Sequence, residues 1–193
     1  MKKLLCILMV FCVLCGCSSS QKETINYTYD IVAKKVDMSV YKGVNSTDNC
    51  FMEVGVSQLF NVIDNESSGL FLLGRSNCNC CQRVTRYINE VGMNLGVTIY
   101  YIDANSEEEN LVDNKELQDK LQEYMYDILG TDENGEKVLL TPHLFQVING
   151  KLGDNHICFD GLELDVSPTL DQISKLESVY ERIIKPFSTI NQD

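Results

Sequence analysis

The stretch Gly74-Arg75-Ser76-Asn77-Cys78-Asn79-Cys80-Cys81-Gln82-Arg83 places three cysteines in four positions where one sequence pattern gives way to another. Before it, Gly69-Leu70-Phe71-Leu72-Leu73 is a short apolar run that suits a buried central strand. After it, Val84, Tyr87, Ile88, Val91 and Leu95 recur at helical spacing, while Arg83, Thr85, Arg86, Asn89 and Glu90 take the opposite side. A cysteine at a strand-to-helix junction lies beside unpaired N–H groups and the positive end of the helix dipole, and both favour thiolate over thiol. Cys78 is therefore the predicted nucleophile, with Arg75 and Arg83 adding positive charge nearby. In a C-x-x-C pair the second thiol attacks the mixed disulfide and releases the substrate. Spacing gives that resolving role to Cys81, although Cys80 and Cys81 flank the apolar face and a helical wheel alone does not choose between them.

The flanking chain reads as an α/β domain. Phe51, Val54 and Val56 suggest a first strand, and Leu59, Phe60, Val62 and Ile63 a helix ending near Asn65. Gly96 to Asp103 is β-branched and aromatic, the clearest strand. Ser106 to Asn110, with three glutamates, reads as a solvated loop. Asp113 and Glu116 have capping-box spacing ahead of Leu117, Leu121, Tyr124, Met125 and Ile128, with Gly130 as the stop. After a loop from Thr131 to Lys137, Thr141-Pro142 opens an alternating strand that runs into Asn149-Gly150, so a hairpin partner is expected at His156 to Phe159. Ser167-Pro168 reads as an N-cap and first helical residue, followed by an apolar stripe from Leu170 to Ile184.

At 193 residues, with 44% hydrophobic and 23% charged, the chain can hold one ordinary domain plus appendages. The net charge is −12, and losing Lys2 and Lys3 with a leader takes it two further, to −14, which argues against a nucleic-acid partner. Met1-Lys2-Lys3 and the apolar run from Leu4 to Leu14 have the form of an export signal too short to span a membrane. Its end, Leu14-Cys15-Gly16-Cys17, resembles the lipobox of bacterial lipoproteins, which implies lipidation of Cys17 and anchoring on the extracytoplasmic side of a membrane in the cell envelope. The expected organisation is a signal peptide over 1–16, lipidated Cys17 and a polar tether over 17–48, and a domain over 49–193.

The order strand, C-x-x-C, helix, strand, helix, Thr-Pro strand, Asn-Gly hairpin and final helix resembles the thioredoxin fold over roughly Asn49 to Phe187. The stretch from Phe71 to Gln82 is also similar to thioredoxin-like bacteriocin-transport accessory proteins. The resemblance implies a central mixed sheet flanked by helices, a cis bond at Pro142 beside the sulfurs, and a groove in which Thr141 presents its backbone to a substrate strand. It implies a thiol–disulfide oxidoreductase acting on exported cysteine-containing proteins, with a membrane electron carrier as a further partner and no cofactor. There are departures. No tryptophan precedes Cys78, no proline separates the cysteines, and Leu72 stands where thioredoxin has a buried acid.

Five cysteines fall in the domain: Cys50, Cys78, Cys80, Cys81 and Cys158. Cys80 could be a third redox thiol, a liability, or a soft-metal ligand with Cys78 and Cys81, in which case the domain would be a copper- or zinc-binding module rather than an enzyme. Cys50 and Cys158 invite pairing, but first and last strands of such a sheet lie at opposite edges, so Cys158 reads as a buried thiol. His143 and His156 are the only histidines, too few for a closed zinc site without distant help, and His143 reads as a core or surface residue.

Overall fold

The computed structural model describes residues 24–106, 111, 113–158 and 166–188. The leader, Cys17, Phe159 and most of the glutamate-rich loop lie outside the described residues. Among the described residues, eight strands and four α-helices run in the order β1 (Lys34–Lys35), β2 (Phe51–Glu53), α1 (Val56–Asp64), β3 (Gly69–Gly74), α2 (Asn79–Leu95), β4 (Ile99–Asp103), α3 (Lys115–Tyr124), β5 (Gly130–Thr131), β6 (Lys137–Val138), β7 (His143–Ile148), β8 (Lys151–Ile157) and α4 (Leu170–Ile184).

The apolar run Gly69–Gly74 is buried at every position because β3 is central in a six-stranded sheet of order β1-β2-β4-β3-β7-β8. It pairs in parallel with β4 and antiparallel with β7. Alternation along the strand divides the core. Leu70 and Leu72 face α2 and α4, whereas Phe71 and Leu73 face α1 and α3. This is a thioredoxin-like fold, with a mixed sheet between two helical layers.

The β7–β8 hairpin turns at Asn149 and Gly150, both at positive φ (51° and 76°), as the Asn-Gly dipeptide predicts. A Cβ at Gly150 would also lie 2.6 Å from the Ile63 carbonyl, so the turn excludes side chains on steric grounds as well.

Several sequence expectations shift by a few residues. Asn114, not Asp113, caps α3, its Oδ1 accepting from the Leu117 N–H at 3.1 Å. That helix ends at Tyr124, and Gly130 is no stop: it starts β5, which pairs with β6 and turns the expected loop into a small hairpin. Thr169, not Ser167, caps α4, in a complete capping box with Gln172.

The larger correction concerns the stretch read as a tether. Its described part packs on the domain: Lys34 and Lys35 of β1 pair with Glu53 and Met52, and Met38 and Tyr41 are buried against α2 and the sheet. Apolar residues too sparse to form a period of their own still fill a groove made by other elements. We expect Met38→Ala to destabilise the domain by about 2–5 kcal/mol in urea unfolding, the cost of emptying a buried methionine site. A freely solvated tether would show no change.

Candidate active site

The junction between β3 and α2 is built by local hydrogen bonds. The Cys78 N–H donates to the Arg75 carbonyl at 3.2 Å and closes the turn. Gln82 reaches back, its Nε2 donating to the carbonyls of Ser76 at 2.7 Å and Val40 at 3.0 Å, so the N-terminal segment helps hold the turn. Cys78 is the N-cap of α2, with extended backbone, and its sulfur accepts the Cys81 N–H at 3.3 Å. The capping role that Ser or Asp fills elsewhere is here filled by a cysteine. Gly96, in the left-handed conformation (φ 63°), closes the other end of the helix.

Cys78 is half-buried and Cys81 fully so, and both are free thiols. In its thiol form Cys78 also donates to the Thr141 carbonyl at 3.3 Å, and the Thr141–Pro142 bond is cis. Thr141, 63 residues from Cys78 in sequence, thus meets Cys78 and Cys81 at one end of the sheet. A cleft of about 330 Å³ opens beside Thr141, lined also by Arg75, Ala104, Gln122 and Leu140.

The two sulfurs are driven apart in acidity. The Cys81 thiol hydrogen-bonds the Cys78 sulfur, and this, with the N–H groups of Cys81 and Cys80 and a Thr141 side-chain bond, outweighs burial and lowers the Cys78 pKa to about 5. Donating that bond, and lying buried, pushes the Cys81 thiol far above the ordinary range. At neutral pH the pair holds one thiolate and one thiol. Hydrogen bonds rather than the expected guanidinium charges dominate: Arg75 is exposed, and Arg83 donates to the Val166 carbonyl instead.

Cys80 and Cys158 correct the sequence reading. They form a disulfide, with Cα atoms 6.1 Å apart, so Cys158 is not a buried thiol and Cys80 is no free ligand. With Cys80 bonded to Cys158 the three-thiol copper or zinc site is not formed, and among the described residues no group of three candidate ligands is found. Cys50 stays unpaired and buried, and burial pushes its pKa up to about 12.

His143 does not face the sulfurs. It lies on the α1 and α3 side, packed against Phe145 with ring centroids 5.2 Å apart, and its Nε2 is 3.1 Å from Asn155 Oδ1. Burial lowers its pKa to about 4, so it stays neutral. Leu72, at the position of thioredoxin's buried acid, is a core residue of the α2 layer. Near Cys81 the structure instead places two buried phenols, Tyr41 and Tyr101, hydrogen-bonded at 2.7 Å. Sequence reasoning missed this pair because Tyr41 lies in the supposed tether; the short apolar spot Val40-Tyr41 was the available signal.

No family model matches the chain, and no curated protein matches it. Solved structures do. Thioredoxin O1 from Arabidopsis thaliana, in its oxidised state, is similar over 70% of this chain and 99% of its own at 15% identity, with a TM-score of 0.43. Thioredoxin from Malassezia sympodialis is similar over 81% and 98% at 11% identity, with a TM-score of 0.41. Thioredoxin from Trypanosoma brucei brucei is similar over 67% and 87% at 15% identity, with a TM-score of 0.40. The strand order and pairing described above, not these scores, carry the fold assignment.

The acidity pattern has a sign that stability measurements can read. The folded-state pKa of Cys78, about 5, lies below an unfolded value of about 8.5, so its contribution is complete above the unfolded value and is lost as pH falls through about 5. Cys81, raised instead, contributes below its unfolded value and loses that contribution at alkaline pH. His143 contributes above about 6.5 and loses that as pH falls toward about 4 in both proteins compared here. For the dithiol form of the Cys78–Cys81 pair, we expect the difference in unfolding free energy between the native chain and Cys78→Ser to grow between about pH 5 and 8.5. A difference independent of pH across that range would contradict the assignment.

Proposed function

We propose that this chain is a thiol–disulfide oxidoreductase acting on exported cysteine-containing proteins, anchored through lipidated Cys17 on the extracytoplasmic side of a membrane. The observation that carries the chemistry is the single sulfur, Cys78, held as a thiolate at a helix N-terminus with a protonated, buried thiol in contact. The anchoring rests on the lipobox resemblance of Leu14 to Cys17.

The reaction follows from the sulfur positions. The Cys78 thiolate attacks one sulfur of a substrate disulfide, forming a mixed disulfide and expelling a substrate thiolate. Cys81 gives up its proton, which the expelled thiolate takes, and attacks the Cys78 sulfur. A Cys78–Cys81 disulfide forms and the second substrate sulfur leaves as a thiolate. Every step reverses when the substrate arrives as a dithiol. The cleft beside Thr141 would receive the substrate chain, with the Thr141 backbone next to the reacting sulfur.

Magnitudes show where the low pKa of Cys78 acts. At neutral pH it raises the thiolate fraction roughly thirtyfold over an ordinary cysteine, but intrinsic nucleophilicity falls with pKa by a similar factor. Attack is therefore little faster. The gain lies in the reverse role, where a stabilised Cys78 thiolate is a better leaving group, and a stabilised reduced form makes the pair more oxidising than ordinary thiols.

The measurement is insulin reduction by the chain with a small-molecule dithiol as electron source. Cys78→Ser should bring turnover to the background rate, while Cys81→Ser should accumulate a substrate adduct on Cys78 visible by mass spectrometry. Unchanged turnover in Cys78→Ser would overturn the proposal.

A further inference from the structure

The Cys80–Cys158 bridge is left over by the two-thiol reaction. Its place in the fold is specific. Cys80 lies in the first turn of α2, between the reacting cysteines in sequence, and its backbone N–H is one of the groups that hold the Cys78 sulfur. Cys158 follows β8, whose register pairs Ile157 with His143; carried one residue further, it sets Cys158 opposite Pro142, next to the Thr141 carbonyl that meets the Cys78 thiol. The sulfurs of both pairs are therefore gathered at one end of the sheet. Neither Cys80 nor Cys158 is fully buried. A bond from Cys78 to Cys158 would join the start of α2 to the end of β8, the same two elements that the existing bridge already ties, so the partner exchange needs no new approach of one element to another.

We propose that Cys80 and Cys158 are a second redox centre that passes electrons to the Cys78–Cys81 disulfide. This rests on the oxidoreductase reading and extends it to how the pair is recharged. The transfer begins with Cys80 as a thiol and Cys158 as a thiolate, the pair having been reduced by a partner dithiol that is itself oxidised to a disulfide, and with Cys78 and Cys81 bonded. The Cys158 thiolate attacks the Cys78 sulfur; a Cys78–Cys158 bond forms, the Cys78–Cys81 bond breaks, and Cys81 leaves as a thiolate. Cys81 takes the proton of Cys80. The Cys80 thiolate attacks the Cys158 sulfur, closing the Cys80–Cys158 bond and releasing Cys78 as a thiolate. Two electrons have moved from the outer pair to the inner, one proton has moved from Cys80 to Cys81, and the net charge is unchanged.

The end of this sequence is the state the structure shows: Cys78 and Cys81 free, Cys80 and Cys158 bonded. The hydrogen bonds that stabilise the released Cys78 thiolate, including that from the Cys80 N–H, set the direction of the last step. A bridge that served only to staple α2 to β8 would need no such placement beside the nucleophile.

The test uses the full chain, reduced completely with dithiothreitol, freed of reductant and given one equivalent of oxidised glutathione. Acid-quenched time points are alkylated and the disulfides mapped by mass spectrometry. The expected order is Cys78–Cys81 first, converting to Cys80–Cys158, with the bridge forming at least about tenfold more slowly in Cys78→Ser and Cys78→Ala, because without the Cys78 sulfur neither the Cys78–Cys81 bond nor the Cys78–Cys158 exchange can form and the bridge must arise by direct attack of Cys80 or Cys158 on glutathione disulfide. Formation of Cys80–Cys158 before any Cys78–Cys81, or at an unchanged rate in both variants, would overturn the relay. The order in the native chain needs no variant to fold. Cys78-dependent insulin reduction combined with Cys78-independent bridge formation would sink the relay alone, whereas loss of Cys78 dependence in insulin reduction would sink the oxidoreductase reading beneath it.

Discussion

Everything at the candidate site depends on one sulfur standing where a helix has N–H groups to spare. The first turn of any α-helix leaves backbone donors without partners, and here the Cys78 sulfur accepts them. Such a cap is a weak acceptor as a thiol and a far better one as a thiolate, so the helix is better capped when the cysteine is ionised. Fold stability and chemical reactivity thus act on the same proton. The Cys81 thiol adds to this by donating to Cys78, a bond that holds the Cys81 proton in place.

The remaining elements position that sulfur. Strand β3, buried at all positions, fixes the entry point; Gln82 and the N-terminal segment fix the turn; and β7, antiparallel to β3, brings Thr141 back to the same end of the sheet. The antiparallel return also explains the second cysteine pair. Because β8 reverses direction again, its last residues come to the end of the sheet where β7 begins, and Cys158 reaches the first turn of α2.

The fold was largely legible in the residues. The uninterrupted apolar run of β3, the period of α2 and the Asn149-Gly150 turn each reflect local physics strong enough to survive tertiary packing. The place of Cys78 at the start of α2 was legible too, since a strand-to-helix junction has its own local signals. What was hidden depends on distant segments meeting. Nothing local in Cys158 says that it pairs with Cys80 rather than Cys50; that follows only once β7 and β8 set which end of the sheet each residue occupies. Met38 and Tyr41 stand in polar sequence, and only the groove beside α2 makes them core. The expectation that Arg75 and Arg83 would set the acidity of Cys78 took proximity in sequence for proximity of charge, whereas the amides and the neighbouring thiol stand closer.

The most direct measurement of the central claim is an ultraviolet titration of thiolate absorbance, comparing the chain in its Cys78–Cys81 dithiol form with the Cys78→Ser variant. The difference should show one thiolate titrating near pH 5, as the hydrogen bonds to Cys78 require. A difference that titrates at about 8.5, the value of an ordinary cysteine, would mean that the helix start does not hold Cys78 as an anion.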